Sequence, residues 1–371
     1  MKNILSYTPD ELKSLMVSLG EPSYRAGQIF TQLHKCITLD EMTNVGKVTK
    51  EKLHNALDCS LPKVKRKLTS KLDGTVKYLF ELSDGNCIES VVMKYEHGYT
   101  ICVSSQVGCR MGCKFCASTV AGRVRDLESG EILGQLIAAQ KDLGVRISNI
   151  VMMGIGEPLD NYDNVVKFLH LVNLPDGVNV GYRHISLSTC GVVPKIYELA
   201  ALDLPITLSV SLHASDDSTR SEIMPVNKAW GVDELLNACR EYYRSTQRRI
   251  SFEYTLIAGK NDTKQNALHL ANTLNGKLRT RTETMPIHVN LIPVNEVTES
   301  GFKSSDRAAV KAFAATLESH GIRATVRRTL GSDINASCGQ LRREDAEDAG
   351  DAGDAGMRLR FFEKKLGKKL A

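Results

Sequence analysis

The chain has 371 residues, 42% apolar and 25% charged, with a formal net charge of +5; this is enough apolar material for one large domain with an accessory piece. No apolar run is long enough to cross a bilayer, and the start, MKNILSYTPDELK, lacks the apolar stretch and cleavage site of a signal peptide. A cytoplasmic location with no membrane partner is therefore the expectation.

From Thr8 to about Cys59 the pattern is helical: Thr8 and Glu11 form a capping box, and Leu12, Leu15, Met16 and Leu19 follow at helical spacing. Ser23 with Ile29, Phe30 and Leu33 indicates a second helix. Residues 1–71 hold twelve Lys/Arg against seven Asp/Glu, an excess of five, equal to that of the whole chain. Its densest part is Lys63, Lys65, Arg66, Lys67 and Lys71. Such a cluster either neutralises RNA phosphates or keeps a solvated strand edge soluble. VKYLFEL then alternates, SDGN at Ser83 to Asn86 marks a turn, and CIESVVMKY resumes the apolar pattern.

From about Tyr99 short strand-like runs alternate with amphipathic helical stretches: YTICVSS, NIVMM, HISLST, ITLSVS, ISFEYTL, HVNLIP and RATVRR. Strand then helix, repeated, implies a parallel sheet. Six or seven such units fit an open α/β barrel, whose sites form at the C-terminal ends of its strands. Beyond Gln340 the chain turns acidic, with DAGDAGDAG at Asp348 to Gly356, and then basic. That segment reads as a loosely docked tail. The expected organisation is a helical accessory domain over 1–60, a β-rich linker over 61–98, a catalytic core over 99–340 and a charged tail over 341–371.

Of ten cysteines, three lie in Cys109-Arg-Met-Gly-Cys113-Lys-Phe-Cys116, directly after YTICVSS. Thiols this crowded read as ligands rather than disulfide partners, so reduced cysteines are expected. Three thiolates can each ligate one iron of a [4Fe–4S] cube and leave the fourth iron open. A structural zinc site is the alternative, although no Cys or His follows Cys116 at zinc spacing. The motif resembles the CxxxCxxC of the radical-SAM superfamily, and Phe115 matches as well. The resemblance implies that S-adenosylmethionine (SAM) binds the open iron and is cleaved there to a 5′-deoxyadenosyl radical. Gly156-Glu157-Pro158, after NIVMM, looks like the superfamily's motif for the amino group of SAM.

Several stretches narrow the resemblance: SSQVGCRMGCKFCAS, MMGIGEPLDN, LSTCGVVPKI, VSLHAS, HVNLIPVN and DINASCGQL. Together they are similar to the RlmN/Cfr group of radical-SAM rRNA adenine methyltransferases, over nearly the whole chain to Gln340. The implied fold is a partial (β/α)6 radical-SAM barrel, α/β in class, with a small N-terminal helical accessory domain that binds RNA. The implied metal ligands are Cys109, Cys113 and Cys116, and Gly156, Glu157, Ser188, Ser211, Leu212, His213 and Asn295 are implied to line the SAM site. Cys338 would accept a methyl group, Cys102 would be its resolving partner and Glu89 a proton acceptor. Taken alone, each has an ordinary reading: Ser or Asn at a strand end is a cap, Cys102 a buried strand residue, and Glu89 a solvent-facing charge.

The C2 and C8 carbons of adenine are electron-poor, so direct displacement on SAM has no nucleophile. The resemblance implies a radical route. One SAM methylates Cys338, and a second yields the radical that takes a hydrogen from that methyl group. The methylene radical then adds to the base, and Cys102 attacks the Cys338 sulfur to release product and leave a disulfide. The implied substrates are 23S rRNA and a tRNA, with flavodoxin or ferredoxin as electron donor and a monomeric enzyme. Pro158 looks like the C2 branch rather than the C8 branch, which confers antibiotic resistance. A metal-stabilised RNA-binding protein without turnover is the rival from another class.

Overall fold

The computed structural model describes residues 1–120, 122–279, 284–294, 301–334 and 336. Helix α1 (Pro9–Ser18) starts as its capping box dictates: Thr8 Oγ1 accepts the Glu11 N–H at 3.2 Å, and Glu11 returns the bond at 2.7 Å. Its Leu12 and Met16 are buried, as are Ile29, Phe30 and Leu33 of α2 (Arg25–His34); α3 (Lys47–Ala56) completes this layer. The layer is fastened to the rest by Glu128, which accepts the Asn3 N–H at 2.9 Å, and by the Gly130 N–H, which donates to Ser6 Oγ at 2.9 Å.

Strands β1 (Lys63–Thr69), β2 (Val76–Glu81), β3 (Cys87–Tyr95) and β4 (Gly98–Cys102) form an antiparallel meander. The hairpin β5 (Gln106–Gly108) and β6 (Arg123–Asp126) brackets the cysteine loop. Then α4 (Ser129–Leu143), β7 (Ile147–Met152), α5 (Tyr162–Asn173), β8 (Ile185–Thr189), α6 (Val193–Ala201) and β9 (Thr207–Ser211) alternate. Helices α7 (Asp217–Ile223) and α8 (Val232–Thr246) lead to β10 (Ile250–Leu256), α9 (Lys264–Leu278), β11 (Ile287–Pro293), α10 (Arg307–Ser319) and β12 (Arg323–Val326).

Among the described residues one ten-stranded sheet runs β1-β2-β3-β4-β7-β8-β9-β10-β11-β12, parallel from β4 to β12. Six strand–helix units, β4 to α10, and a seventh parallel strand make the open barrel that alternation of strands and helices led us to expect. In segment 61–98, expected as a β-rich linker, Val91 of β3 pairs with Cys102 of β4, so its strands continue the barrel sheet. The basic cluster lies largely on β1, the exposed edge strand. Past β12 the chain crosses back to the β1–β2 turn. There the Gly331 N–H donates to Asp73 at 2.8 Å, and Asp333 accepts from Ser70 Oγ at 2.7 Å and the Lys71 N–H at 2.9 Å. No described helix is long and apolar enough to cross a membrane.

Candidate active site

The cysteine loop leaves β5 at Gly108, whose φ of +77° and clearance exclude any side chain: a Cβ there would lie 1.9 Å from the Gly122 carbonyl oxygen. The Cys109 N–H donates to that same oxygen at 3.1 Å, and the Lys114 N–H to Ile223 O at 3.0 Å. Thr119 Oγ1 lies 3.2 Å from Cys113 O and 2.9 Å from Cys116 O. Cys109 and Cys113 are buried and Cys116 half-buried. Burial pushes the Cys109 thiol up to about 12 and Cys113 well above its ordinary value, with the neighbouring thiols and Glu157 adding to both. Thiols so placed become ligands when a cluster supplies the positive charge that the thiolates need. Among the described residues no three His, Cys, Asp or Glu side chains converge as a single-ion site; ligands to three different irons of a cube need not converge on one point.

Gly156 follows β7 with φ +109°, and a Cβ there would lie 2.7 Å from both Gln106 and Ser105 Oγ. Glycine lets this turn press against β5. Glu157 is buried and held by its surroundings: its N–H donates to Gln106 Oε1 at 2.9 Å, while its carboxylate accepts the N–H groups of Cys190 at 2.7 Å and Leu159 at 3.0 Å. Burial nevertheless raises its pKa, so a cationic partner would be strongly favoured there. Gly156, Glu157, Ser188, Ser211 and His213 line one cavity of about 220 Å³ together with all three loop cysteines. The buried His213 accepts the Thr255 N–H on Nδ1 at 2.9 Å, and burial lowers its pKa to about 3, so Nε2 carries the proton of a neutral ring. Leu212, expected with these residues at the SAM site, follows Ser211 directly. It packs in the core, and its N–H donates to Glu253 O at 3.1 Å. Asn295 lies outside the described residues.

Two residues of this cavity escaped the sequence reading. Glu253, buried beneath it, receives hydrogen bonds from Asn290 Nδ2 at 2.7 Å and Ser251 Oγ at 3.0 Å. Arg220, 0% exposed, stands behind the cavity wall. Its guanidinium donates to the carbonyls of Cys190 (2.6 Å), Ser211 (3.1 Å) and Leu212 (3.0 Å) and to Asn227 Oδ1 (2.9 Å). It thereby ties the ends of β8 and β9 together.

A second cleft of about 410 Å³ adjoins the first, and Phe115, Cys116 and Met153 line both. Cys102 lines it, with Val91, Met93 and Tyr95 of β3 and with Arg327 and Arg328 of the returning segment. Leu330 and Ala336 of that segment pack against the cluster of Val91, Met93 and Cys102. Cys338 lies outside the described residues, two positions beyond Ala336 in sequence. Glu89 is not the solvent-facing charge that alternation suggests: it is 2% exposed and pairs with Lys77, 0% exposed, at 3.2 Å. Pairing on both edges of β3 turns Glu89 to the same side as Val91 and Cys102.

The chain matches the family model of the radical SAM superfamily over residues 103–271 and that of the ribosomal RNA large subunit methyltransferase N-terminal domain over residues 2–58. It is 54% identical over 345 residues to the probable dual-specificity RNA methyltransferase RlmN of Clostridium novyi, a match covering 92% of this chain and 98% of that relative. The chain belongs to the RlmN family of radical-SAM methyltransferases. Another RlmN-family relative, from Clostridium perfringens, is 52% identical over 92% of this chain and 97% of its own length. The crystal structure of a radical SAM methyltransferase from Sphaerobacter thermophilus superposes with a TM-score of 0.86 at 39% identity, covering 92% of this chain and 99% of that one. The cofactors of the RlmN family, a [4Fe–4S] cluster and SAM, fit the donor set: three clustered thiols beside a buried carboxylate. Cys109, Cys113 and Cys116 are the thiols that would hold the cluster.

Proposed function

We propose that this protein methylates C2 of an adenosine in 23S rRNA at the peptidyl-transferase centre, and of an adenosine beside the anticodon of tRNA, in the cytoplasm. The carrying observation is the adjacency of the two cavities: the cysteine loop forms a shared wall, and Cys102 and the approach to Cys338 stand in the outer one. Relatives named as dual-specificity RNA methyltransferases support RNA as the substrate class. Pro158, after Glu157, favours the C2 branch.

The cluster and SAM together supply methyl groups and one-electron chemistry; the rest falls to protein side chains. Glu157 would pair with the amino group of SAM, and Ser188, Ser211, His213 and Asn295 would fix the remainder. Cys338 would carry the methyl group to the base as a thioether. Ala336, two positions before Cys338 in sequence, packs against the cluster that contains Cys102, which supports this pairing. Glu89 would take the proton from C2. Attack of Cys102 on the Cys338 sulfur would then form the S–S bond as the bond from that sulfur to the transferred carbon breaks, and that carbon, keeping the electron pair, would take up a proton to become the methyl group. A base reaching this cleft has to leave its stack, because its C2 edge is inaccessible within a helix.

Order of action is testable. Cys102→Ala should still join RNA to Cys338 but fail to release it, leaving a denaturation-stable band that shifts on ribonuclease treatment and survives reductant. Cys338→Ala should show no band, and the double variant should resemble Cys338→Ala. Normal turnover by Cys102→Ala, or a band without Cys338, refutes the two-cysteine scheme.

A further inference from the structure

The Lys77–Glu89 pair is expensive to keep. Both side chains are essentially inaccessible, at 0% and 2% exposure, and their charged atoms lie 3.2 Å apart. Taking two charges out of water is costly, and such pairs often do no better than apolar residues of similar volume. Apolar neighbours are at hand: Leu79 stands opposite Glu89, and Val91 stands opposite Lys77. Register does not need the pair either, because β2 and β3 are aligned over six residue pairings closed by a turn. Stability and register therefore leave it unexplained.

Its position does account for it. Lys77, Val91 and Cys102 occupy one lateral row across β2, β3 and β4, and Glu89 lies two residues from Val91 on the same face. The backbone beneath Glu89 is fixed from the side: Ser104 Oγ donates to Glu89 O at 2.7 Å and accepts the Ile155 N–H at 3.0 Å. Ser104 thus joins the Glu89 strand, the Cys102 strand and the turn that carries Glu157. The Lys77 ammonium is the counter-charge on this rigid frame.

We propose that Lys77 is the positioning residue for Glu89, holding its carboxylate aimed beside Cys102 so that it can accept the proton from the RNA adduct. The inference rests on the reading of Glu89 as that acceptor. In the step, once the adduct has given up its unpaired electron to the one-electron chemistry of the radical-SAM reaction, the C–H bond at C2 breaks: its electron pair goes into the purine ring, its proton passes to the Glu89 carboxylate, and Lys77 keeps its own protons. An apolar residue at position 77 removes the ion-pair contact at 3.2 Å that fixes the direction of the Glu89 carboxylate. Proton removal should then stall after the adduct has formed.

The test uses the full chain, reconstituted anaerobically, with an RNA transcript that contains the target adenosine. Iron content, RNA–protein adduct and methylated RNA are measured for Lys77→Met, Lys77→Arg and Glu89→Gln. Lys77→Met should accumulate adduct as Glu89→Gln does, with product formation slowed by about tenfold or more, part of the 10²–10⁴ that general base catalysis contributes. Lys77→Arg, which keeps the charge, should restore release. Product release by Lys77→Met at the wild-type rate overturns the proposal, as does failure to form adduct where Glu89→Gln forms it. Release without adduct by Glu89→Gln would instead refute the role given to Glu89. Should Lys77→Met fail to take up iron, the charge-free double variant Lys77→Met/Glu89→Gln replaces it. The proposal requires the double variant to recover iron and trap adduct; an equally misfolded one makes Lys77 structural and overturns the proposal.

Discussion

Replacing Arg220 by methionine keeps an unbranched apolar stem and removes every donor. Four acceptors lose their partner: the carbonyls of Cys190, Ser211 and Leu212, and Asn227 Oδ1. Each buried acceptor left unpaired costs about 1–3 kcal/mol, so even the low end comes to about 4 kcal/mol. For a domain of this size that corresponds to a fall in Tm of roughly 8 °C, at about 2 °C per kcal/mol. The lesion also reaches the proposed SAM site, because the Cys190 peptide that loses its tie at the carbonyl holds Glu157 through its N–H. Thermal melting and equilibrium dialysis of SAM, both on anaerobically reconstituted protein, read the two effects. A Tm within about 2 °C of wild type, together with unchanged SAM affinity, would show that Arg220 does not organise the wall.

Cys109→Ala, Cys113→Ala and Cys116→Ala should each lose the brown cluster and reductive SAM cleavage together; stoichiometric zinc with full activity would refute the cluster assignment. Reversing the charges of Lys63, Lys65 and Arg66 on β1 should weaken RNA binding and flatten its salt dependence while sparing SAM cleavage. An unchanged salt slope removes this edge from the RNA surface. His34 is held by burial at about 4, below its ordinary 6.5, and accepts the Val178 N–H on Nδ1 at 3.3 Å. The unfolded chain therefore binds the proton more readily, so the stability contributed by His34 is complete above 6.5 and lost as pH falls toward 4. Tm measured across that range should fall less steeply in His34→Gln than in wild type.

What was legible in the sequence was local. The capping box at Thr8, the alternation of β2 and β3, the strand-then-helix rhythm and the cysteine spacing each depend on residues a few positions apart. What escaped depends on pairing. Glu89 resembles a solvent-facing charge until β3 is seen between β2 and β4, with a buried lysine across one edge. Arg220 sits in a polar heptapeptide, Asp217–Ile223, that gives no hint of its burial. The ties between Ser70 and Asp333 join residues 263 positions apart, beyond the reach of any periodicity. The strands of segment 61–98 show the same limit, since they can be recognised locally but their partner cannot.

That β1 to β4 belong to one hydrogen-bonded sheet has a metric consequence. Adjacent strands lie about 4.8 Å apart, so β1 stands roughly 14 Å from β4 and from Cys102 at its end. The basic edge and the thiol are the two ends of a ruler made of backbone hydrogen bonds, which cannot be shortened by a side-chain rotation or lengthened by a swinging domain. A nucleic acid seated on that edge would meet the thiol at a set distance along its own length, roughly four steps of a stacked strand at about 3.4 Å each. Inserting or deleting a strand spacing, rather than changing any residue, is the operation that would move the mark.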